Sequence, residues 1–275
     1  MKIGDRKTDL ESHEAKMKVT SQTGILRRVA TARLPTKWGM FHGTGFEREF
    51  ANGNQRVETA LSIVMGDLTR DAPLLRLHSQ CFTGEALGSL RCDCGEQLAM
   101  AMQAIAEEGR GLVIYEYQEG RGIGLMAKMQ AYELQDVGID TVEANHALGF
   151  KADCRDFSLP AAILRDLNIR RVRLLTNNPR KVRALSDGDI EVVARIPCEV
   201  APTSYSLPYL LAKKERMGHA LGFPQQHWKG RAEASSALLK AKQNPLAGNM
   251  FDLRGGQQNP ALDAAWRTRG IDAQI

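Results

Sequence analysis

The hydrophobic and polar positions of the chain follow two patterns, one on each side of about residue 95. Before that point, short apolar runs predict three strands, at Val29–Leu34, Met40–Phe46 and Thr59–Met65. Pro35 and the Asn52–Gly53 turn signal separate these runs, and two glycines in the second run either weaken it or mark a bulge: Gly43 and Gly45. A fourth strand, Leu74–Leu77, leads into a segment rich in cysteine and glycine.

After residue 95 the pattern predicts strands and helices in alternation. The predicted helices are Gly95–Glu108, Leu125–Val137, Leu159–Leu167 and Tyr209–Leu221. The predicted strands are Leu112–Tyr117, Val172–Leu175 and Ile190–Ile196. Asn178 can cap a helix whose first residue is Pro179. Because such alternation is typical of an α/β layer, we expect a mixed α/β (α+β) fold with an N-terminal β-rich portion packed on an α/β layer.

Three segments are expected along the chain. Residues 1–24 mix charges of both signs without apolar periodicity and predict a flexible N-terminal arm. Residues 25–221 form the folded domain. Residues 222–275 turn polar and predict a C-terminal extension, in which only Glu233–Lys242 has helical character.

Composition limits the function classes. The chain has 275 residues, 43% of them hydrophobic and 25% charged, as is usual for globular proteins. A formal charge of +5 favours an anionic partner, whereas an aromatic content of 6% argues against a platform for stacking bases of single strands. We see no secretory signal and no apolar run of 18 residues, so we expect a cytoplasmic protein and no membrane segment.

Three of the five cysteines lie within fourteen residues, in the segment CFTGEALGSLRCDC. Because residues two apart point to one side of an extended segment, Cys92 and Cys94 can share a ligand where the backbone is extended or looped. Three glycines allow such a loop to bring Cys81 alongside them: Gly84, Gly88 and Gly95. Three thiolates suit zinc (Zn2+), and they leave a fourth position for water, as catalytic sites do.

Two plainer interpretations of this cluster stay open. The cysteines can be small hydrophobic residues, or a fourth side chain such as Cys154 or a histidine can close the zinc site. Structural zinc sites seldom have many polar residues around them, so the polar and cationic neighbours of this cluster favour the open site. These neighbours are Arg76, His78, Ser79, Gln80 and Arg91.

Other polar clusters follow predicted strands. The glycine loop Gln118–Gly124 joins a strand to a helix and can form an anion cradle, although a plain tight turn fits it equally well. Residues Thr176–Lys181 place a hydroxyl and two cations at the end of another strand, and Lys151–Phe157 is a dense acid–base cluster.

Five motifs together make the chain resemble the GTP cyclohydrolase II family, zinc enzymes that open riboflavin biosynthesis. They occur in the order and spacing of that family: RLHSQCFTGEALGSLRCDCG, QEGRGIGL, DTVEANHALGFKADCRDF, LLTNNPRKV and KKERMGHAL. The resemblance covers roughly residues 25–221, which would be the catalytic domain. It implies that GTP loses pyrophosphate and that its imidazole ring opens with loss of C8 as formate. The product would be 2,5-diamino-6-ribosylamino-4(3H)-pyrimidinone 5′-phosphate.

The same resemblance implies roles for individual residues. The zinc ligands would be Cys81, Cys92 and Cys94. The catalytic residues would be Asp153 as acid–base group, Arg155 as nucleophile towards the α-phosphate and Tyr132 as an aid to ring opening. GTP would be bound by Arg76, Leu77, His78, Ser79, Gln80, Gln97, Glu119, Gly120, Arg121, Thr141, Thr176 and Lys181. Mg2+ would accompany the triphosphate, and a homodimer would be the assembly.

Some of these implications stay open on chemical grounds. A protonated guanidinium has no lone pair, so a phosphate clamp is an alternative to the nucleophilic role of Arg155. Glu119 has the chemistry to accept from guanine N1–H and its 2-amino group. The chain departs from the family pattern at Gln80, Tyr117 and Cys154. The alternatives are a diverged paralogue acting on GTP or a related purine nucleotide, a non-catalytic nucleotide-binding regulator with structural zinc, and a zinc-stabilised nucleic-acid binder.

Overall fold

The computed structural model describes residues 24–50 and 57–222. The strands are β1 (Ile25–Thr36), β2 (Gly39–Glu49), β3 (Val57–Met65), β4 (Leu74–Ser79), β5 (Gly111–Glu116), β6 (Arg171–Leu175) and β7 (Glu191–Ile196). The helices are α1 (Phe82–Glu85), α2 (Cys94–Glu108), α3 (Glu119–Gly122), α4 (Leu125–Asp136), α5 (Thr141–Ala147), α6 (Ser158–Asp166), α7 (Pro179–Asp187) and α8 (Leu207–Met217). Apart from residues 24 and 222, the predicted arm and extension lie outside the described residues, as does the Asn52–Gly53 turn.

All seven strands belong to one sheet, in the order β1-β2-β3-β5-β4-β6-β7. Strands β1, β2, β3 and β5 pair antiparallel in that order. Strands β5, β4, β6 and β7 run parallel to one another. The β-rich portion and the α/β portion are therefore continuous along one sheet, and the expected mixed α/β class is confirmed.

Two apolar layers cover the faces of this sheet. On one face, Leu75, Ile114 and their neighbours pack with Leu159 and Ile163 of α6 and Leu185 of α7. On the other face, Leu74 and Val113 pack with three residues of α2: Ala101, Met102 and Ile105. Most of these side chains are fully buried, and each of the larger ones contributes about 1.5–3 kcal/mol. The central strands read as continuous apolar runs because helices cover them on both sides.

Local signals placed most elements correctly. The predicted strands before residue 80 correspond to β1–β4, Gly109 ends α2 in the left-handed conformation, and Asn178 caps α7 by accepting from the Arg180 N–H. The pairing register shifts at Val29, between the pairs Arg28–Phe46 and Ala30–Gly45, so the bulge lies in β1 and not in β2, where the sequence had offered one.

Two helices differ from the sequence prediction. The segment Thr141–Ala147, for which the sequence analysis predicts no element, is helix α5, and Asp140 caps it by accepting from two backbone N–H groups. Helix α8 ends at Met217, four residues earlier than predicted, because Gly218 adopts a left-handed conformation. No helix in the described ranges is long and apolar enough to cross a membrane.

The topology marks one edge of the sheet as a ligand site. Strand β4 is followed by β5 on one side, and the chain then crosses to β6 on the other side of β4. In parallel sheets, ligands bind at the carboxyl ends of strands beside such a reversal. The segments that follow Ser79, Glu116 and Leu175 all leave the sheet at that edge.

Candidate active site

The three cysteines of the CFTGEALGSLRCDC segment come together beyond the carboxyl end of β4. Their sulfur atoms all lie within 4.8 Å of one another, and those of Cys81 and Cys92 are 3.5 Å apart. Sulfurs bound at about 2.3 Å to a tetrahedral zinc lie about 3.8 Å apart. No fourth His, Cys, Asp or Glu from the described residues joins this group. The thiol of Cys154 is exposed and contacts the carbonyl of Lys151 instead.

Two glycines permit this close approach. A Cβ atom at Gly84 would lie 2.8 Å from the sulfur of Cys92 and 3.3 Å from that of Cys81. A Cβ atom at Gly95 would lie 2.4 Å from the carbonyl oxygen of Gly84. Any larger residue at either position would push the cysteine segments apart, so the predicted role of these glycines in folding the loop is confirmed.

The carboxylate of Glu85 anchors the cysteine loop from behind. It accepts from the backbone N–H of Cys81 at 2.7 Å, from Nε2 of His78 at 2.9 Å and from the hydroxyl of Tyr115 at 2.6 Å. Burial lowers the pKa of His78 to about 4, so its ring is neutral at pH 7. The hydrogen bond to Glu85 then places the single ring proton on Nε2.

The thiols of the cluster share one negative charge. Hydrogen bonds from Cys92 and Cys94 lower the pKa of Cys81 far below its ordinary value, and the charge of Lys128 adds to the effect. The hydrogen bond to Cys81 raises the pKa of Cys92 to about 11, and that of Cys94 is raised as well. A divalent cation would offset the repulsion among three thiolates, because metal binding deprotonates its thiol ligands. The donor set therefore fits zinc.

A buried ion pair lies beside the cluster. The ammonium of Lys128 is 3.2 Å from the sulfur of Cys81 and 2.8 Å from Oε1 of Glu119. The carboxylate of Glu119 also accepts from the backbone N–H groups of Phe82 and Gly120. Burial opposes the charge of Lys128, but Glu119 and Cys81 outweigh it and raise the pKa of this lysine. The pair thus connects the glycine loop to the metal loop.

The glycine loop holds Arg121 in a strained conformation. Its φ is +61°, in the left-handed region that side chains other than glycine rarely adopt. The guanidinium is buried over the ring of Tyr209, and Nη1 and Nη2 have no hydrogen-bond partner among the described residues. Such strain occurs at functional sites, and the unused donors are suited to an anion.

Two adjoining clefts open at this edge of the sheet and share five residues: Ser79, Cys94, Arg121, Arg155 and Tyr209. The metal-side cleft, of about 560 Å³, is also lined by Cys81, Cys92, Glu119, Lys128, Tyr132 and Thr141. The basic cleft, of about 550 Å³, gathers five cations: Arg76, Arg121, Arg155, Lys181 and Lys213. No Asp or Glu of the described ranges lines the basic cleft. Together they form one groove with sulfur ligands at one end and positive charge at the other.

Lys181 lies at the floor of the basic cleft. Its ammonium donates to the carbonyl of Leu77 at 2.8 Å. Burial, together with the charges of Arg76 and Arg155, lowers the pKa of Lys181, while burial raises the pKa of the neighbouring Glu116 to about 8. A polyanion in this cleft would stabilise the ammonium form of Lys181.

Asp153 and Arg155 form a bidentate ion pair, with N–O distances of 2.9 and 2.8 Å. Nη1 of Arg180 is 2.7 Å from the same carboxylate. Burial would raise the pKa of Asp153, but the hydrogen bonds and charge of Arg155, with the charge of Arg180, lower it below its usual range. Asp153 is therefore ionised, and the pKa of Arg155 is raised by the same pairing in spite of its burial.

The last described helix closes the groove. The ammonium of Lys213 on α8 is 2.7 Å from Oδ1 of Asp93, which lies between two of the cysteines, and both side chains are buried. The other carboxylate oxygen of Asp93 accepts from Gln97, which in turn accepts from Arg76. This network connects α8, the metal loop and the basic cleft.

Most of the residues predicted for the site line the two clefts. Of those predictions, all within the described part of the chain, only Leu77 and Asp153 line neither cleft. The side chain of Leu77 is in the core, and its carbonyl positions Lys181. Several residues that line the clefts or hydrogen-bond to the lining were not predicted from the sequence. They are Glu85, Asp93, Lys128, Tyr209, Lys213 and His219.

Comparisons with known proteins point to one family. The model of a family described as GTP cyclohydrolase II matches residues 27–197. The GTP cyclohydrolase-2 of Shewanella amazonensis is 50% identical over 75% of this chain and 98% of its own length. That of Yersinia pestis is 53% identical over 71% of this chain and 98% of its own length. A solved structure of a two-domain 3,4-dihydroxy-2-butanone 4-phosphate synthase from A. baumannii aligns over 70% of this chain and 49% of that chain. Its TM-score is 0.37 and its identity is 17%, so this similarity is too distant to bear on fold or function.

Proposed function

Because this chain belongs to the GTP cyclohydrolase II family and is a hydrolase acting on GTP, we propose that it opens the imidazole ring of GTP in a zinc-dependent reaction. Water attacks C8, which leaves as formate, and water also displaces pyrophosphate from the α-phosphate. The product is 2,5-diamino-6-ribosylamino-4(3H)-pyrimidinone 5′-phosphate, and the reaction would be the first step of riboflavin biosynthesis.

The observation that carries this proposal is the polarity of the groove. Three thiol ligands lie at one end, and the other end is lined by five basic side chains and by no Asp or Glu of the described residues. A nucleoside triphosphate has the matching polarity, since its base carries no net charge and its phosphates are strongly anionic. The polyphosphate would lie in the basic cleft and the purine in the metal-side cleft, with Mg2+ bound to the phosphate oxygens.

Protein groups in the metal-side cleft are suited to holding the purine. When bound at Cys81, Cys92 and Cys94, zinc would act as a Lewis acid that activates water for attack on C8. The carboxylate of Glu119 accepts hydrogen bonds and can take up those of the guanine edge. Burial raises the pKa of Tyr132 to about 12, so its hydroxyl keeps its proton at pH 7 and can donate it to a ring nitrogen.

We propose the clamp role for Arg155. A guanidinium whose pKa is raised by Asp153 keeps its proton and lacks the lone pair that a nucleophile needs. Its planar fork suits bidentate contact with phosphate. In this proposal Arg155 turns from Asp153 to the α-phosphate as GTP binds, and the freed carboxylate can then accept a proton. A guanylyl adduct trapped on Arg155 would contradict the clamp.

Two cysteine variants test the site. Cys92→Ser should lose zinc and all turnover of GTP with Mg2+, measured as the absorbance change of diaminopyrimidine formation and as zinc per protein. Cys154→Ser is the matched control, because its thiol lies outside the cluster, and it should keep both. Loss of zinc in Cys154→Ser would favour instead a closed, structural metal site in a nucleotide-binding regulator.

We also propose a homodimer. Strand β1 is one of the two edge strands of the sheet, and three of its apolar residues are exposed: Ile25, Val29 and Leu34. Long apolar edge strands favour association with another chain. Light scattering of the full chain should give twice the mass of one chain, and a monomer at micromolar concentration would contradict the proposal.

A further inference from the structure

His219 lies just beyond α8, where Gly218 ends the helix. The backbone N–H of His219 donates to the carbonyl of Lys213 at 3.1 Å, and that of Ala220 donates to the carbonyl of Asn177 at 2.9 Å. The first hydrogen bond closes the end of α8, and the second holds the segment against the loop that follows β6. The imidazole of His219 consequently lines the basic cleft.

The imidazole has an unused nitrogen in that cleft. Nε2 of His219 is buried and has no hydrogen-bond partner among the described residues, although most buried polar atoms have one. The same is true of Nε of Arg76 and of Nη1 and Nη2 of Arg121. Nitrogens with free hydrogen-bonding capacity from β4, α3 and the segment after α8 therefore converge on one cleft.

The charged side chains that line the cleft around His219 are all basic, although Asp153 pairs with Arg155 and Asp93 pairs with Lys213. Lys213 on α8, Arg121 on α3, Lys181 on α7 and Arg155 on the segment before α6 all face it, and burial with these charges lowers the pKa of His219 to about 2. Strand β4 adds Arg76 and the neutral His78, and the remaining titratable groups of the lining are Cys94 and Tyr209. A neutral imidazole is the form compatible with so many neighbouring cations, as long as no anion accompanies them.

We propose that His219 is a ligand of the polyphosphate chain of the nucleotide, supplied by the segment that follows α8. This segment lies beyond the residues that match the family model, which end at residue 197. The inference rests on the proposed function in that it takes GTP as the occupant of the basic cleft. His219 adds a phosphate contact from the segment after α8, which contains none of the predicted substrate-binding residues.

Binding should change the protonation of His219. A polyphosphate offsets the surrounding cations, so the imidazole takes up a proton from solvent as the anion binds. The protonated ring then donates a charge-assisted hydrogen bond from Nε2 to a phosphate oxygen. A purely structural histidine at a helix end would contribute to stability but would take up no proton on binding.

The test uses calorimetric titration of the zinc-loaded full chain with inorganic tripolyphosphate at pH 7, in buffers of different ionisation enthalpy. His219→Gln should bind about 10- to 100-fold more weakly than the wild type and take up about one proton fewer. Any proton uptake by the other groups of the cleft is common to both proteins and cancels in the difference. His42→Gln replaces an exposed histidine on β2, and it should match the wild type in both quantities.

The outcomes separate this inference from the proposed function. Equal affinity and equal proton uptake in His219→Gln, with GTP still converted, would overturn the role of His219 alone. Wild-type protein that binds tripolyphosphate with His219-dependent uptake but leaves GTP unchanged would overturn the proposed function alone. If the variant does not fold, the imidazole ¹⁵N shifts of His219 in the wild type decide. They should change from the neutral to the protonated pattern on tripolyphosphate binding, and a ring that stays neutral would overturn the inference.

Discussion

Replacing Glu85 by alanine should loosen the metal loop and weaken zinc binding. The carboxylate accepts from Cys81 N–H, from the buried His78 and from Tyr115. Each buried donor left without a partner costs about 1–3 kcal/mol, so losing the first two acceptor contacts should lower the free energy of unfolding by about 2–6 kcal/mol. Because Glu85 positions the backbone of the first cysteine ligand, zinc affinity should also fall by about 10- to 100-fold.

Two measurements and two variants make this prediction specific. Zinc affinity is measured by competition with a chromogenic chelator, and stability by urea unfolding of the zinc-loaded protein. Tyr115→Phe removes one donor but leaves the carboxylate in place, so it should cost about 1 kcal/mol and leave zinc affinity within a few-fold of the wild type. Glu107→Ala on α2 replaces an exposed carboxylate away from the loop and should change neither quantity. Wild-type zinc affinity and stability in Glu85→Ala would show that this carboxylate does not hold the metal loop.

Three further predictions follow from the buried charges. Lys213→Met leaves the Asp93 carboxylate buried without its cation, so the free energy of unfolding in urea should fall by about 3–5 kcal/mol. Adding Asp93→Asn should restore part of this loss, and fully additive losses would contradict a coupled pair. Arg180→Gln removes one of the two cations that lower the pKa of Asp153. That pKa should then rise, and the acidic limb of the kcat/KM–pH profile should move to higher pH. A limb that does not move would argue against Asp153 as the titrating base. Burial lowers the pKa of His78 from the ordinary value of about 6.5 for histidine to about 4 in the folded protein, so the unfolded chain binds the proton first as the pH falls. Stability should then decrease by about 3 kcal/mol between pH 6.5 and 4, and an identical slope in His78→Gln would exclude this residue as its source.

Local sequence signals were sufficient for most of the fold. Apolar runs placed the strands, Gly109 and Asn178 gave helix boundaries, and the glycines of the cysteine segment indicated a loop that folds back. Helix α5 was missed although its signal is visible in the sequence. Asp140 followed three residues later by Glu143 is a capping pattern, and Asp140 does accept from the N–H groups at the start of that helix.

The rest of the site depends on contacts between distant parts of the chain. The sequence does not reveal that β4 lies between β5 and β6, and this order is what brings the three strand ends to one groove. Lys128 and Lys213 look like ordinary helical lysines, because nothing near them in sequence identifies Cys81 and Asp93 as their partners. The role of Arg180 likewise depends on its ion pair with Asp153, which is 27 residues away in sequence (180 − 153) and is not indicated by any local pattern.

The most direct measurement is the fate of C8 when zinc-loaded protein is incubated with Mg2+ and GTP that carries ¹³C at that position. We expect ¹³C-formate by NMR, pyrophosphate in equal amount and a diaminopyrimidine monophosphate by mass spectrometry, and none of these products with Cys92→Ser. Label that remains in an intact purine ring while the protein holds its zinc would contradict the proposed reaction.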